Sequence, residues 1–230
     1  MINKAIITDI FFDLDHTLWD FETNSYHTFI SILKPYQFSF SEKEFMEVYT
    51  PVNHAFWKLY RDNKITTKEL RLIRLQKTFE KIGSPQPLNV IEGLSKAYID
   101  QLSTHTHLFD GTKELLDYLS SHYRLHIITN GFEEVQQKKM FNAGIDNYFN
   151  VVLTAERAGV KKPHLAIFEQ ALKEANVKAQ NALMIGDSYE ADIAGALTLG
   201  MQAIHFNSHC EKTHHYCPIV ESLVEMKQYL

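Results

Sequence analysis

The chain has 230 residues, enough to bury a substantial core without disulfides to hold it together. Its net charge is −5 and it has no dense stripe of Lys and Arg, which argues against a surface made for a nucleic-acid polymer and for a small-molecule partner. The two cysteines, Cys210 and Cys217, are too few for a disulfide framework. With no signal-like N-terminus and no apolar run of about twenty residues, the expected location is the cytoplasm, without a membrane span.

In chain order, the first element is the apolar run AIITDIFF (5–12), a strand pattern. From about residue 20 to 105 strand signals vanish, and the pattern predicts helices around 22–34, 41–62, 66–82 and 88–103, punctuated by Pro35, Gly83-Ser84-Pro85 and Pro87. A helix follows Asp110-Gly111, then come a strand over 125–129 (LHIIT), a helix after Gly131-Phe132 and a strand over 149–154 (FNVVLT). Pro163 suits the first position of the next helix. A strand over 182–186 (ALMIG), a helix after Ser188 that stops at Gly200, a strand over 201–206 (MQAIHF) and a closing helix in IVESLVEMKQYL complete the chain.

Strands alternating with helices predict an α/β protein with a parallel sheet covered on both faces. The stretch between the first two strands is far too long for an ordinary βα connection, so it reads as a second, helical unit planted in that crossover. The expected division is a core of 1–18 and 107–230 with a cap of 19–106.

Four motifs fall at strand ends. In FFDLDHT, Asp13 and Asp15 are two apart and project from the same face of a strand, where two carboxylates repel unless a cation lies between them. Mg²⁺, a hard cation that takes carboxylate oxygens and waters, resolves that repulsion; a turn cap is the structural alternative. A calcium EF-loop is excluded, because its glycine and glutamate positions hold Leu18 and Asn24. In IITNG, Thr129, Asn130 and Gly131 offer a hydroxyl, an amide and free N–H groups to a phosphate oxygen, or form a simple turn. In VKKPH, Lys162 before Pro163 is a point cation for a phosphoryl group, or part of a basic loop. In MIGDSYEAD, Asp187 could complete a metal's ligands and Asp192 hold a metal-bound water, although acidic residues also favour helix starts.

Taken together, D13-L-D15-H-T17, T129-N-G, K162-P163 and G186-D187-S-Y-E-A-D192 make the chain resemble a haloacid-dehalogenase superfamily phosphatase over essentially its whole length. The resemblance implies a Rossmann-like parallel sheet with the first strand central and a helical cap as the insert. The insert itself, through Trp19, Phe21, Asn53, Trp57, Tyr60, Ile65-Thr66, Arg71 and Arg74, is similar to the cap of bacterial pyrimidine 5′-nucleotidases that remove noncanonical nucleoside monophosphates.

That resemblance implies Asp13 as nucleophile and Asp15 as general acid and then general base. Thr129, Asn130 and Lys162 would bind the phosphate. Mg²⁺, or Mn²⁺, would be held by Asp13, the Asp15 carbonyl and Asp187, with Asp192 behind. A small phosphorylated metabolite, a nucleotide in this reading, would be chosen by a closing cap through Trp19, Phe21, His54, Trp57 and Tyr60, with Arg61, Arg71 and Arg74 available for polar groups. A phosphatase for phosphoglycolate or a sugar phosphate, and a noncatalytic binder on the same fold, are the alternatives. Asp15 speaks for phosphate chemistry, since dehalogenases of the family do without it. In HCEKTHHYC, Cys210, His214, His215 and Cys217 are a possible zinc set with spacing unlike the usual two-pair motifs.

Overall fold

The computed structural model describes residues 2–230. The chain divides into two compact units, Met1–Phe21 with Thr106–Leu230, and Glu22–His105.

The first unit is built on a parallel sheet. Its strands are β1 (Asp9–Phe12), β2 (Arg124–Thr129), β3 (Phe149–Thr154), β4 (Ala182–Gly186), β5 (Gln202–Phe206) and the short β6 (Ile219–Val220), in the order β3-β2-β1-β4-β5-β6. β1 is central, with Phe12 opposite Ile127 of β2 on one side and Ile185 of β4 on the other. All four of its residues are buried, which is why DIFF carries no apolar/polar alternation. The order reverses at β1, and the crevice beyond the strand C-termini at such a switch point is where open α/β sheets place their ligands. At the opposite end, the buried Asp9 carboxylate accepts hydrogen bonds from Thr8 Oγ1 (2.6 Å), Arg124 Nη2 (3.0 Å) and the buried His126 Nε2 (2.9 Å).

Around this sheet run α5 (Thr112–Ser120), α6 (Glu133–Ala143), the single turn α7 (Ala155–Ala158), α8 (Leu165–Ala175) and α9 (Ala194–Thr198), numbered after the four helices of the second unit. Phe11, Ile128, Leu153, Ile167, Phe168, Met184 and Met201 form one buried cluster.

The second unit holds α2 (Glu42–Arg61), α3 (Thr67–Lys81) and α4 (Leu88–Leu102), with α1 (Phe21–Leu33) entering it from residue 22 onward. α2 and α3 begin with reciprocal capping boxes, Ser41 with Glu44 and Thr66 with Glu69, which satisfy N–H groups that a helix start leaves open. The core is aromatic: Phe29 lies 4.5–4.8 Å, centroid to centroid, from Phe45, Tyr49 and Tyr98. No helix among the described residues is long and apolar enough to cross a membrane.

Four local expectations are corrected. β1 starts at Asp9, because residues 3–6 are largely exposed and close a 3₁₀ turn instead. Pro163 lies before the helix start: α8 begins at Leu165, with His164 as the cap that accepts from Ala166 N–H, and the Lys162–Pro163 bond is cis. The helix after Ser188 opens with a π turn, Tyr189–Ile193, before α9, although Gly200 does follow its end at positive φ. The closing segment is β6 followed by a 3₁₀ helix, Leu223–Gln228. Its buried Leu223 and Met226 are three apart, the repeat of a 3₁₀ helix, and Val220 is taken up by pairing with Phe206.

Phe11 is fully buried and stacks on His126 with ring centroids 4.6 Å apart. Replacing it by alanine is expected to lower unfolding free energy by about 3–5 kcal/mol, read from urea unfolding; a loss below about 1 kcal/mol would show that the sheet does not depend on this packing.

Candidate active site

The ends of β1, β2 and β4 carry Asp13, Thr129 and Asp187 into one crevice, and a buried lysine ties them together. Lys162 is 1 % exposed. Its Nζ donates to the Ile128 carbonyl oxygen (2.7 Å) and lies 2.8 Å from Asp13 Oδ1 and 2.7 Å from Asp192 Oδ1. Burial alone would push its ammonium down, but Asp13 and Asp192 outweigh that and hold it above the ordinary lysine value. Asp13 feels the opposite balance. Burial pushes its carboxyl up to about 7, repulsion from Asp192 and Asp15 adds to this, and Lys162 opposes it.

Asn130, expected on a phosphate oxygen, has another task. Its Oδ1 accepts from Lys162 N–H (2.8 Å) and its Nδ2 donates to the Lys162 carbonyl (3.0 Å), so both polar atoms of its side chain clamp the lysine main chain.

Asp187 and Asp192 arrive from the segment after β4. Gly186 permits this: a Cβ there would stand 2.3 Å from Asp192 Oδ2, so only glycine leaves room for the Asp192 side chain to fold back under the strand end. Asp192 Oδ2 also accepts from Ser188 N–H (3.1 Å) across the π turn. Asp187 Oδ1 accepts from the buried Thr17 hydroxyl (3.3 Å), and Asp187 Oδ2 lies 3.4 Å from His209 Nε2. The Asp187 carbonyl takes a 2.7 Å hydrogen bond from His205 Nε2. That carbonyl can only accept, so the His205 proton is assigned to Nε2, and Nδ1 accepts from His214 Nε2 at 3.0 Å.

One ligand oxygen from each of Asp13, Asp187 and Asp192 lies within 4.8 Å of the others. Burial raises all three carboxyl pKa values, and Lys162 is the ammonium among them. An all-oxygen donor set with surplus negative charge fits a hard divalent cation such as Mg²⁺. Asp192, the third of these carboxylates, is also paired with Lys162 Nζ at 2.7 Å. From Asp15 the expected ligand is the main-chain carbonyl; its side chain is engaged elsewhere.

That engagement involves two residues the sequence pattern did not single out. Asp15 Oδ1 lies 2.5 Å from Lys139 Nζ, and Asp15 Oδ2 accepts from Gln136 Nε2 (2.9 Å). Gln136 Nε2 also donates to Thr129 Oγ1 (2.8 Å), which accepts a second bond from Gly131 N–H (3.0 Å). Both are on α6, EEVQQKKMFNA, where polar residues fill the positions between Val135 and Met140 that a sheet-covering helix would be expected to make apolar. That interruption was the available signal.

The residues expected to touch the substrate are placed differently from one another. Trp19 is fully buried, its ring 6.2 Å from that of Phe21 and 4.2 Å from Lys139 Nζ, so its faces are not open. Phe21 is buried as well. In the helical unit Tyr60 is buried and its hydroxyl accepts from Thr67 Oγ1 (3.3 Å), Trp57 is half-buried with its ring edge-on to Tyr60, and His54 is exposed beside Glu22 (3.2 Å). Arg74 is buried and donates to Asn53 Oδ1 (2.7 Å). Large aromatic and guanidinium groups here serve first as core. Cys210 and Cys217 are free thiols, and among the described residues Cys210, His214, His215 and Cys217 do not gather as a metal-binding group; His214 stacks on His205 instead.

Comparison with known proteins follows the same lines. The pyrimidine 5′-nucleotidase YjjG of Escherichia coli (strain K12) is 32 % identical over 226 residues, 96 % of each chain. The pyrimidine 5′-nucleotidase PynA of Streptococcus pneumoniae (strain ATCC BAA-255 / R6) is 30 % identical over 207 residues, 89 % of this chain and 86 % of that one. The crystal structure of the HAD-hydrolase YfnB from Bacillus subtilis bound to magnesium superposes with a TM-score of 0.86 at 23 % identity, covering 96 % of this chain and 97 % of that one, which shows the shared fold. With residues 10–206 matching the family as a whole, the chain belongs to the haloacid dehalogenase-like hydrolases.

Proposed function

We propose that the chain is a metal-dependent phosphomonoesterase that works through an aspartyl phosphate on Asp13 and acts on pyrimidine nucleoside monophosphates, noncanonical ones included. The observation that carries the chemistry is Asp13 Oδ1 held 2.8 Å from the buried Lys162 ammonium at a strand end, with Asp15 two residues on. A carboxylate needs no activating base to be a nucleophile, but it must approach a phosphate dianion, and Lys162 offsets that repulsion on one flank. Asp13 attacks phosphorus as the bond to the leaving alcohol breaks, and Asp15, which enters this step as the carboxylic acid, gives that oxygen its proton and is left as the carboxylate. Water then attacks phosphorus, Asp15 takes the water's proton, and the bond to Asp13 breaks to free phosphate. The Thr129 hydroxyl donates to a phosphate oxygen. Mg²⁺ or Mn²⁺, held by Asp13, Asp187 and the Asp15 carbonyl with Asp192 behind, would supply Lewis-acid neutralisation of the phosphoryl oxygens.

The substrate class rests on the two relatives named as pyrimidine 5′-nucleotidases, whose similarity runs over 96 % and 89 % of this chain and so includes the helical unit. Within that unit we assign contact with the nucleoside to the accessible His54 and Trp57 rather than to Tyr60, which is buried.

Phosphate release from a panel of phosphorylated metabolites with Mg²⁺ tests this. Pyrimidine nucleoside monophosphates are expected to lead, and Asp13→Asn to lower turnover by roughly 10³-fold or more. A lead for sugar or small-acid phosphates contradicts the substrate; an undiminished Asp13→Asn contradicts the mechanism.

A second expectation concerns pH. Burial raises the Asp13 carboxyl to about 7 in the metal-free fold, well above its ordinary 3.8, so the folded state keeps a proton that the unfolded chain gives up. The metal-free fold therefore loses stability as pH rises from near 4 through about 7, and a cation that replaces the proton restores it. The rise in melting temperature on adding Mg²⁺ should be larger at about pH 8 than at about pH 5.5, where the ion must displace the proton. Equal shifts at both would contradict this account of the site.

A further inference from the structure

Gln136 and Lys139 are polar, three residues apart on α6, and buried to 0 % and 2 % exposure. We infer that they are positioning residues, which aim the Asp15 carboxyl and the Thr129 hydroxyl at the reacting phosphate ester; the inference rests on the phosphatase reading.

The hydrogen bonds define the geometry. The Gln136 carboxamide nitrogen has two N–H groups, one for Asp15 Oδ2 and one for Thr129 Oγ1. With Gly131 N–H as well, the Thr129 oxygen accepts twice, so the one proton of its hydroxyl is left to donate, directed away from both. Thr129 is thereby fixed as a donor before any substrate arrives. The arrangement is strained in polar terms, since Gln136 Oε1 is buried without a hydrogen-bond partner, an exposure to desolvation that an apolar residue would avoid. It is also sterically exact about Gly131, where a Cβ would stand 2.2 Å from Gln136 Nε2.

Lys139 holds the other oxygen. Its Nζ is 2.5 Å from Asp15 Oδ1, 4.2 Å from the Trp19 ring centroid and 5.4 Å from that of Phe21. The ammonium thus has an aromatic wall behind it and the carboxylate in front. With one oxygen on Lys139 and the other on Gln136, the carboxylate cannot turn about its own axis. A buried charge is poor as a mere stabiliser, and an apolar residue of similar volume would pack as well against two rings. Asp15 must aim at the leaving oxygen in the first step and at water in the second, so a fixed carboxyl serves both.

The test uses Lys139→Met and Gln136→Leu, with Lys139→Arg as the conservative variant, on p-nitrophenyl phosphate and on a pyrimidine nucleoside monophosphate. p-Nitrophenolate departs without needing a proton, so phosphorylation of Asp13 by that ester should be spared. Lys139→Met is expected to release about one equivalent of p-nitrophenol per enzyme at a rate within about threefold of wild type, whereas Gln136→Leu, which also loses the hold on Thr129, is expected to slow that burst roughly tenfold. A steady rate lowered roughly tenfold or more should follow, with the phosphoenzyme accumulating. With the nucleotide the burst should be absent and kcat should fall while KM stays within about threefold; Lys139→Arg should recover part of kcat. If burst and steady rate of Lys139→Met fall together, Lys139 is merely structural, and if neither variant changes either rate the residues position nothing; either result overturns the inference. A wild type that turns over both esters while the variants match it removes the inference alone, whereas a wild type that hydrolyses neither removes the phosphatase reading and the inference with it.

Discussion

The site depends on one buried cation. Lys162 stands among the Asp13 carboxylate, the Asp192 carboxylate and the Ile128 carbonyl, all within 2.8 Å of its Nζ. Without it, acidic side chains that burial already drives toward protonation would repel one another at the C-terminal edge of the sheet. Its hold is mutual: the same carboxylates keep the lysine charged despite burial. Asn130 secures the lysine main chain from the end of β2, so the strand beside β1 also fixes the cation that faces Asp13. One lysine still leaves the cluster with surplus negative charge, and that surplus is what a hard divalent cation would answer.

The sheet makes this concentration of charge possible. Parallel strands end side by side, so β1, β2 and β4 deliver Asp13, Thr129 and Asp187 into one crevice without any of them leaving its own strand end. Two glycines then make room for side chains that fold back against the main chain, Gly186 for Asp192 and Gly131 for Gln136. β5 and the segment after it add a histidine wall, with His205 of the strand on the Asp187 carbonyl and His209 beside its carboxylate. Asp13, Thr129, Lys162, Asp187 and Asp192 are therefore all held by the unit that carries the sheet.

Much of this was legible in the residues. The runs over 149–154 and 182–186 coincide with β3 and β4, and the long strand-free stretch after Asp15 is the four-helix unit with helix ends within two residues of the expected ones. Asp13 and Asp187 were visible because each interrupts an apolar strand end, Lys162 because it precedes a proline, and Asp192 because it completes the spacing G186-D187-S-Y-E-A-D192. Gln136 and Lys139 were legible only as polar breaks in the apolar face of α6, because polar residues on a helix ordinarily face water and the burial of these two depends on the partners that Asp15 and Trp19 provide. The same blindness applied to Trp19 and Tyr60: an aromatic side chain reads identically as a core residue or as a base platform, and here the rings are buried. The closing segment was misjudged because apolar residues three and four apart suit either an α-helix or a 3₁₀ turn.

The central claim is that Asp13 carries the phosphoryl group during turnover. The most direct measurement is a rapid acid quench of the wild-type enzyme turning over a pyrimidine nucleoside monophosphate, followed by mass mapping of its peptides. The account predicts one phosphoryl group, labile to hydroxylamine, on the peptide that contains Asp13. A phosphoryl group on any other residue, or turnover with no phosphoenzyme at any time sampled, would contradict it.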